Sequence, residues 1–342
     1  LKTIDNPKRI SINNSWDYLN SKFGLEISQI IDGIIKKIFG HPAIELSEFA
    51  PNIINLSRVI IFSEEIFSKM IDSNIYRENI AWPEQRTLPL NYQSGNGSYY
   101  PLNYGIFRII NSLEERLIKS GVKIIKESEV KELEIINNQV EKIKISDKGV
   151  SKEITNIEDF IWTSGLPPLA KLINIDLNPH GFDPPKKIVI LNLLLKEKPL
   201  MKDLYYLYNY ELNSKIFRIT DFSNYCPKSK RKGLWPLSVE LLYDQNIPSE
   251  IEIYKDTIME LINLGVIKSF DSIEFRSVER LRTGSPMPTN KNFNNLRNIR
   301  NSIKNFEIRN LHFLGILSEK NIFFQRDVVS STWSKINHIC QK

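Results

Sequence analysis

The sequence predicts a mixed α/β (α+β) chain, and three observations carry that expectation. Apolar side chains recur at helical spacing through the first ninety residues. From about residue 122 to 278 short runs alternate apolar and polar. The end of the chain returns to a strand, a glycine and a helix. With 342 residues and 41% hydrophobic content the chain can bury a sizeable core, and its length favours two domains.

Taken in order, WDYLNSKF predicts a helix from about Ser15, its expected N-cap, to Phe23. A second follows from Glu26 to Phe39, with Gly24 and Gly40 marking helix ends, and a third is expected around Arg58 to Ile71. Ile30, Ile31, Ile34, Ile35 and Ile38 form an apolar stripe on the second helix, which suits core packing or peripheral contact with a membrane surface. The stretch Ser98 to Ile124 reads as an aromatic loop, a glycine and a helix. Ile106, Ile109, Ile110, Leu113, Leu117 and Ile118 mark one helix face, and Gly121 supplies the stop. Then VKIIKESEVKELEIINNQVEKIKISD alternates as a hairpin about Asn137 and Asn138. EDFIWTSGLPPLAKLI runs from a buried strand into a short helix. KIVILNLLL, LYYLYNY, IFRITDFS and LSVELLY read as an antiparallel sheet, followed by a helix from about Glu250 to Leu264 and a strand from Ile273 to Val278. NLHFLG and DVVSSTWSKINHI close the chain as strand, glycine and helix, with Asp327 the expected N-cap.

Composition narrows the function. Lys and Arg outnumber Asp and Glu by 46 to 40, for a formal charge of +6. The one dense basic cluster, Lys228, Lys230, Arg231 and Lys232, reads as a solvated loop, so no nucleic-acid partner is expected. Cys226 and Cys340 lie far apart and the four histidines are dispersed, which predicts a reduced, cytoplasmic setting and no metal site. No apolar run reaches the roughly 20 residues of a membrane span, and the opening residues do not read as a signal peptide. The single Gly-x-Gly, at Gly95 and Gly97, lacks a preceding apolar strand and is no dinucleotide fingerprint.

Three segments in this order resemble one superfamily, the two-domain FAD-dependent oxidoreductases that include amine oxidases, protoporphyrinogen oxidases and UDP-galactopyranose mutase. YYPLNYGIFRIINSLEERLIKSGVKIIKESEV is similar to the family's loop, helix, strand and valine pattern. IEDFIWTSGLPPLAKLI resembles the strand where the chain returns to the nucleotide domain, and NIRNLHFLGILSEKNIFFQRDVVSST resembles the closing motif. FGLEISQIIDGIIKKIFGHPAIELS looks like the helical insert of the mutase branch. The resemblance implies an incomplete Rossmann-like FAD domain interleaved with a substrate domain of antiparallel sheet plus helices. Residues 1–95 and 176–285 would be substrate domain, and 96–175 and 286–342 FAD domain. The strand, glycine-rich turn and helix with which such proteins open is expected to be missing, by truncation or by nature.

The same resemblance implies FAD as cofactor, with Val130, Thr163, Ser164, Gly165, Gly315, Ile316, Arg326, Asp327 and Val328 around it. Small residues at Thr163 to Gly165 permit close backbone approach, or simply a tight turn before Pro167. Gly315 and the following helix N-terminus suit an electron-rich flavin carbonyl, or form an ordinary capped helix. Family members carry an acidic residue or an arginine after that glycine, where this chain has Ile316. Tyr99, Tyr100 and Tyr104 would lie close to the flavin, touching substrate or packing as core. Arg58, Arg218 and Arg326 are the arginines suited to an anionic substrate, against surface ion pairs as the plain alternative. Glu240 matches a substrate-domain glutamate, or pairs with Arg218. The implied function is an FAD-dependent oxidoreductase or nucleotide-sugar mutase-like enzyme acting on a small phosphorylated or sugar-linked substrate. The alternative is a cofactor-free binding or scaffold module. No catalytic residue is assigned, because the flavin would carry the chemistry.

Overall fold

The computed structural model describes residues 11–84, 87–93, 99–103, 105–177, 181–228, 233–281, 286–320 and 322–341. In chain order the helices are α1 (Ser15–Phe23), α2 (Leu25–Phe39), α3 (Ala50–Ile53), α4 (Glu64–Ser68), α5 (Asn74–Asn79), α6 (Phe107–Lys119), α7 (Leu166–Leu172), α8 (Phe222–Tyr225), α9 (Glu250–Asn263), α10 (Asn290–Asn305) and α11 (Gln325–Cys340). The strands are β1 (Ser128–Ile136), β2 (Gln139–Asp147), β3 (Val150–Thr155), β4 (Phe160–Trp162), β5 (Lys187–Leu195), β6 (Tyr206–Tyr208), β7 (Ile216–Asp221), β8 (Trp235–Tyr243), β9 (Ile273–Arg280) and β10 (Leu311–Phe313). The chain divides into two compact units, each built from two stretches of sequence: Leu1–Leu117 with Pro184–Pro288, and Ile118–Asp183 with Thr289–Lys342.

The first unit holds an antiparallel sheet in the order β6-β7-β8-β5-β9. Alternation decides its core. Val189, Leu191, Leu193 and Leu195 of β5 all point one way and are fully buried with Leu237, Val239 and Leu241 of β8, against Ile253, Ile258 and Leu261 of α9. Each such side chain contributes about 1.5–3 kcal/mol of burial. A capping box starts α9, where the Ser249 hydroxyl accepts from the Glu252 N–H and the Glu252 carboxylate accepts from the Ser249 N–H.

A second core of the same unit gathers Leu19 of α1 and Ile31, Ile35 and Ile38 of α2, so most of the isoleucine stripe packs inward while Ile30 is exposed. Asn14, not Ser15, caps α1: its side chain accepts from the Asp17 N–H, while the buried Ser15 hydroxyl donates to the Ser47 carbonyl. Only Glu64–Ser68 is helical within the stretch Arg58 to Ile71. Ser63 caps that short helix, and Val59 pairs in parallel with Ile80, its N–H donating to the Asn79 carbonyl and its carbonyl accepting from the Ala81 N–H instead of bonding within a helix.

Lys37 ties α2 to the β6–β7 hairpin. Its ammonium donates to the carbonyls of Asn209, Glu211 and Ile216 at 2.7, 2.8 and 3.0 Å. Burial pulls its pKa down to about 8, against the raising effect of Glu260 and Glu211. A lysine depressed in the folded state binds fewer protons there than in the unfolded chain between pH 8 and 10.5. Stability from this group is therefore expected to rise across that window. Lys37→Met should flatten the rise and cost about 1 kcal/mol at neutral pH through the lost tethers; urea unfolding of both proteins at pH 7, 8, 9 and 10 checks it. An unchanged slope in the variant would sink the assignment.

α6 forms where its apolar spacing predicts, yet none of its residues is buried. Ile109, Ile110, Leu113, Leu117 and Ile118 keep 42–55% of their surface exposed.

The second unit contains the meander β1-β2-β3 and a parallel pair, β4 with β10. Asn137 and Asn138 turn the β1–β2 hairpin with φ of 50° and 60°, the left-handed geometry that matches strand twist. Phe160 and Trp162 of β4 pack with Leu166 and Leu169 of α7 and Ile299 and Ile303 of α10. The buried Asn310 amide accepts from the Val140 N–H at 2.8 Å and donates to the carbonyls of Val140 and Ile157 at 3.0 and 3.1 Å, fixing β2 to the residues around β4 and β10. Neither β3 nor α10 was expected from the sequence. Every residue of β3 is exposed, and asparagine fills seven of the sixteen positions of α10.

Candidate functional site

Because β4 and β10 run parallel and in register, with Phe160 opposite Leu311 and Trp162 opposite Phe313, their carboxyl ends emerge side by side. The loop after β4 carries Thr163 and Ser164, both exposed, and Gly165; the loop after β10 carries Gly315 and Ile316. These five predicted residues are brought together. Gly315 has φ +97°, and a Cβ placed on it would meet the Thr163 carbonyl oxygen at 3.1 Å. The glycine thus lets the two loops touch through main chain, at the edge of a parallel sheet where ligands of open α/β folds bind.

α11 starts at Gln325 rather than at Asp327, with Phe324 as N-cap. Asp327 is the third helical residue, and its carboxylate accepts from the Phe324 N–H at 3.1 Å, the job of an acidic residue in a first turn. The N–H groups of Asp327 and Val328 already bond the Phe324 carbonyl. Arg326 projects into solvent, its Nε 3.4 Å from Asp327 Oδ1. Val130 is half-buried in the edge strand β1, opposite Ile145 and beside a register shift.

A second cluster lies on the first unit, on the face of the five-stranded sheet opposite α9. Register sets two rows across the strands, Tyr208–Arg218–Glu240–Ile190–Glu279 and Tyr206–Thr220–Ser238–Asn192–Ser277. Arg218 donates through Nε to Glu240 Oε1 at 2.9 Å and again through Nη2, and its guanidinium stands 6.0 Å from the Tyr208 ring. Burial opposes the Arg218 charge, but the bonds and charge of Glu240 outweigh it and raise the pKa above the usual arginine value. The Ser238 hydroxyl donates to Asn192, whose amide donates to Glu279 at 3.1 Å. Tyr100 answers the aromatic loop: its ring stands 5.0 Å from Tyr225, which is 4.9 Å from Tyr205. Tyr99 is 93% exposed. Tyr104 lies outside the described residues, and Arg58 is exposed. Among the described residues no three His, Cys, Asp or Glu side chains group to hold a metal, and no helix is long and apolar enough to cross a membrane.

No family model and no curated protein matches the sequence. Solved structures do. Reduced UDP-galactopyranose mutase aligns with a TM-score of 0.63 at 17% identity, over 88% of this chain and 60% of that one. A protein of Exiguobacterium sp. 255-15 assigned as a protoporphyrinogen oxidase aligns with a TM-score of 0.62 at 13% identity, over 99% of this chain and 70% of that one. In fold the chain is similar to FAD-dependent oxidoreductases. An oxidoreductase from Methanosarcina mazei adds a TM-score of 0.52 at 14% identity, over 96% of this chain and 69% of that one. At such identities the likeness is one of fold, and the chain spans 60% of the mutase's length.

Within this fold, sequence reasoning singled out the glycine and helix of the parallel pair but missed Tyr206, Tyr208, Thr220, Ser238 and Asn192. LYYLYNY did carry a signal, since alternate tyrosines on a strand line one face. Which residues of other strands join them depends on register, which the run does not encode.

Proposed function

We propose that the chain is part of an FAD-dependent oxidoreductase or nucleotide-sugar mutase-like enzyme acting on a small phosphorylated or sugar-linked substrate. The observation that carries this reading is the meeting of Thr163–Gly165 with Gly315–Ile316 at the carboxyl end of a parallel pair, in a chain with this fold. These residues fit a nucleotide cofactor through main chain: the loops bring backbone rather than bulk to the edge, and Asp327 fixes the first turn of α11, where no described residue accepts from the Gln325 and Arg326 N–H groups. Val130 and Val328 would complete the set. Ile316, half exposed, offers an apolar surface where a charged side chain is absent.

Bound flavin would supply hydride transfer or a nucleophilic nitrogen, and the protein orientation and charge. On the sheet of the first unit, Tyr206, Tyr208 and Tyr100 would give flat apolar surfaces to a substrate ring, Ser238 and Asn192 would bond its hydroxyls, and Arg218 would retain donors for a phosphate or sugar oxygen. Tyr99, Tyr104 and Arg58 would be further substrate contacts. The cell's cytoplasm is the expected setting.

The test is to isolate the polypeptide as the cell makes it and titrate FAD, following flavin absorbance at about 450 nm through a desalting column. Retained colour, lost in Gly315→Val while the variant keeps its far-UV spectrum, is the expected result. A protein that stays colourless at saturating FAD would overturn the reading in favour of a cofactor-free binding module.

A further inference from the structure

Helical spacing gathers like charges on two neighbours of β10. Arg300 and Lys304 stand four residues apart on α10, and Lys335 and His338 three apart on α11, so each pair shares one helix face. Within the second unit these faces line a cleft of about 420 Å³, whose apolar surface comes from Leu311, Phe313 and Ile339. Like charges at such spacing repel, and an opposite charge is called for.

The negative charge that the fold supplies falls short. Glu319 is the one carboxylate among the described lining residues, and it pairs with Lys335 at 2.7 Å. That bond holds the Glu319 carboxyl below the usual carboxylate range against burial, and the charges of Lys335, Lys304 and Arg300 add to the lowering. Three cations thus converge on one anion. Among the described residues neither Arg300 nor Lys304 has an ion-pair partner of its own. The half-buried Arg300 donates through Nε to the Ser318 carbonyl at 2.7 Å and through Nη2 to the Leu317 carbonyl at 3.0 Å, neutral acceptors both. Burial pushes its pKa below the usual arginine value, with the charge of Glu319 opposing. Lys304 and His338 lie in the last turns of their helices, where they also answer the negative helix ends. Arg300 and Lys335 lie further back, beyond the reach of that account.

We infer that this cleft binds a small organic phosphate, its oxygens among Arg300, Lys304 and Lys335 and its carbon body against Leu311, Phe313 and Ile339. A phosphate group brings about two negative charges and three strong acceptors, which suits donors arriving from two helices. Arg300 can meet it, because the two carbonyls take only two of its five N–H donors. The Phe313 ring, with the Lys335 ammonium 6.0 Å from its centroid, and the two aliphatic side chains form an apolar bed that inorganic phosphate cannot use. Thr163, Ser164, Gly165, Gly315 and Ile316 do not line the cleft, so the inference stands or falls apart from the cofactor proposal.

Equilibrium dialysis of phenyl phosphate against the polypeptide as the cell makes it tests the site. The expected result is saturable binding with a Kd below about 1 mM, weakened at least about tenfold by Lys304→Glu and tightened at least about threefold by Glu319→Gln. Both side chains are exposed, so both variants should keep the far-UV spectrum of the parent. The sign of the second effect is the sharper readout. If Glu319 only ties its loop to α11, removing its charge leaves the affinity unchanged or lowers it, and the inference fails. It fails equally if phenyl phosphate does not bind by about 10 mM, or binds no tighter than inorganic phosphate. Binding lost in Arg218→Met but kept in Lys304→Glu would place the probe on the sheet of the first unit and overturn the assignment to this cleft.

Discussion

Gly315→Val is expected to destabilise the second unit by about 3 kcal/mol and to abolish cofactor retention. Two costs add. At φ +97° an L side chain is strained by about 1–2 kcal/mol. The new Cβ also sits 3.1 Å from the Thr163 carbonyl oxygen, a backbone atom that cannot rotate aside, so the loops after β4 and β10 must part at about 1–2 kcal/mol more. Gly149→Val separates the two. Gly149 has φ +83° on the same unit, but a Cβ there meets nothing within 4 Å, so only the conformational cost applies. Urea midpoints of the two variants should therefore differ, with Gly315→Val the lower. Equal losses would mean that the contact with Thr163 contributes nothing, and the argument for a backbone-lined loop pair would go with it.

That loop pair was legible in the sequence because its signals are local: an apolar strand, then a small residue or glycine, then a helix start. The residues failing this test are those whose roles depend on distant partners. α10 escaped notice because seven asparagines lower its helix propensity, and its inward face rests on Ile299 and Ile303, which need Phe160 and Trp162 to bury against. β3 has no buried face at all, so no alternation marks it. The expected helix at Arg58 to Ile71 shrank to Glu64–Ser68 once Val59 found Ile80. Asp327 was read as a cap from type and position; Phe324 takes that place, and Asp327 serves it from within the first turn. The tyrosine face is the extreme case, since Tyr206, Thr220, Ser238 and Asn192 become neighbours only through three strand registers.

Arg218 sits at the centre of that face, and the energy of its bond to Glu240 decides what it can do there. Glu240 lies opposite Arg218 across β7 and β8, and the two side chains keep 37% and 21% of their surface. A pair this enclosed lies between the exposed limit of about 0–1 kcal/mol and the buried one of about 3–5. Arg218→Met is expected to cost about 2 kcal/mol, since it leaves the Glu240 carboxylate half-buried without its counterion. Glu240→Gln should cost less, about 1 kcal/mol, because the amide oxygen still accepts one guanidinium bond. In the double variant the losses should fall short of their sum by about 1 kcal/mol, the coupling between the two. Such a coupling makes Arg218 a strut already neutralised by its neighbour, able to lend spare donors to a sugar or phosphate oxygen but not its full charge. A coupling near zero would leave the guanidinium a free cation on an aromatic surface, and a phosphorylated substrate would then be the stronger expectation at this face.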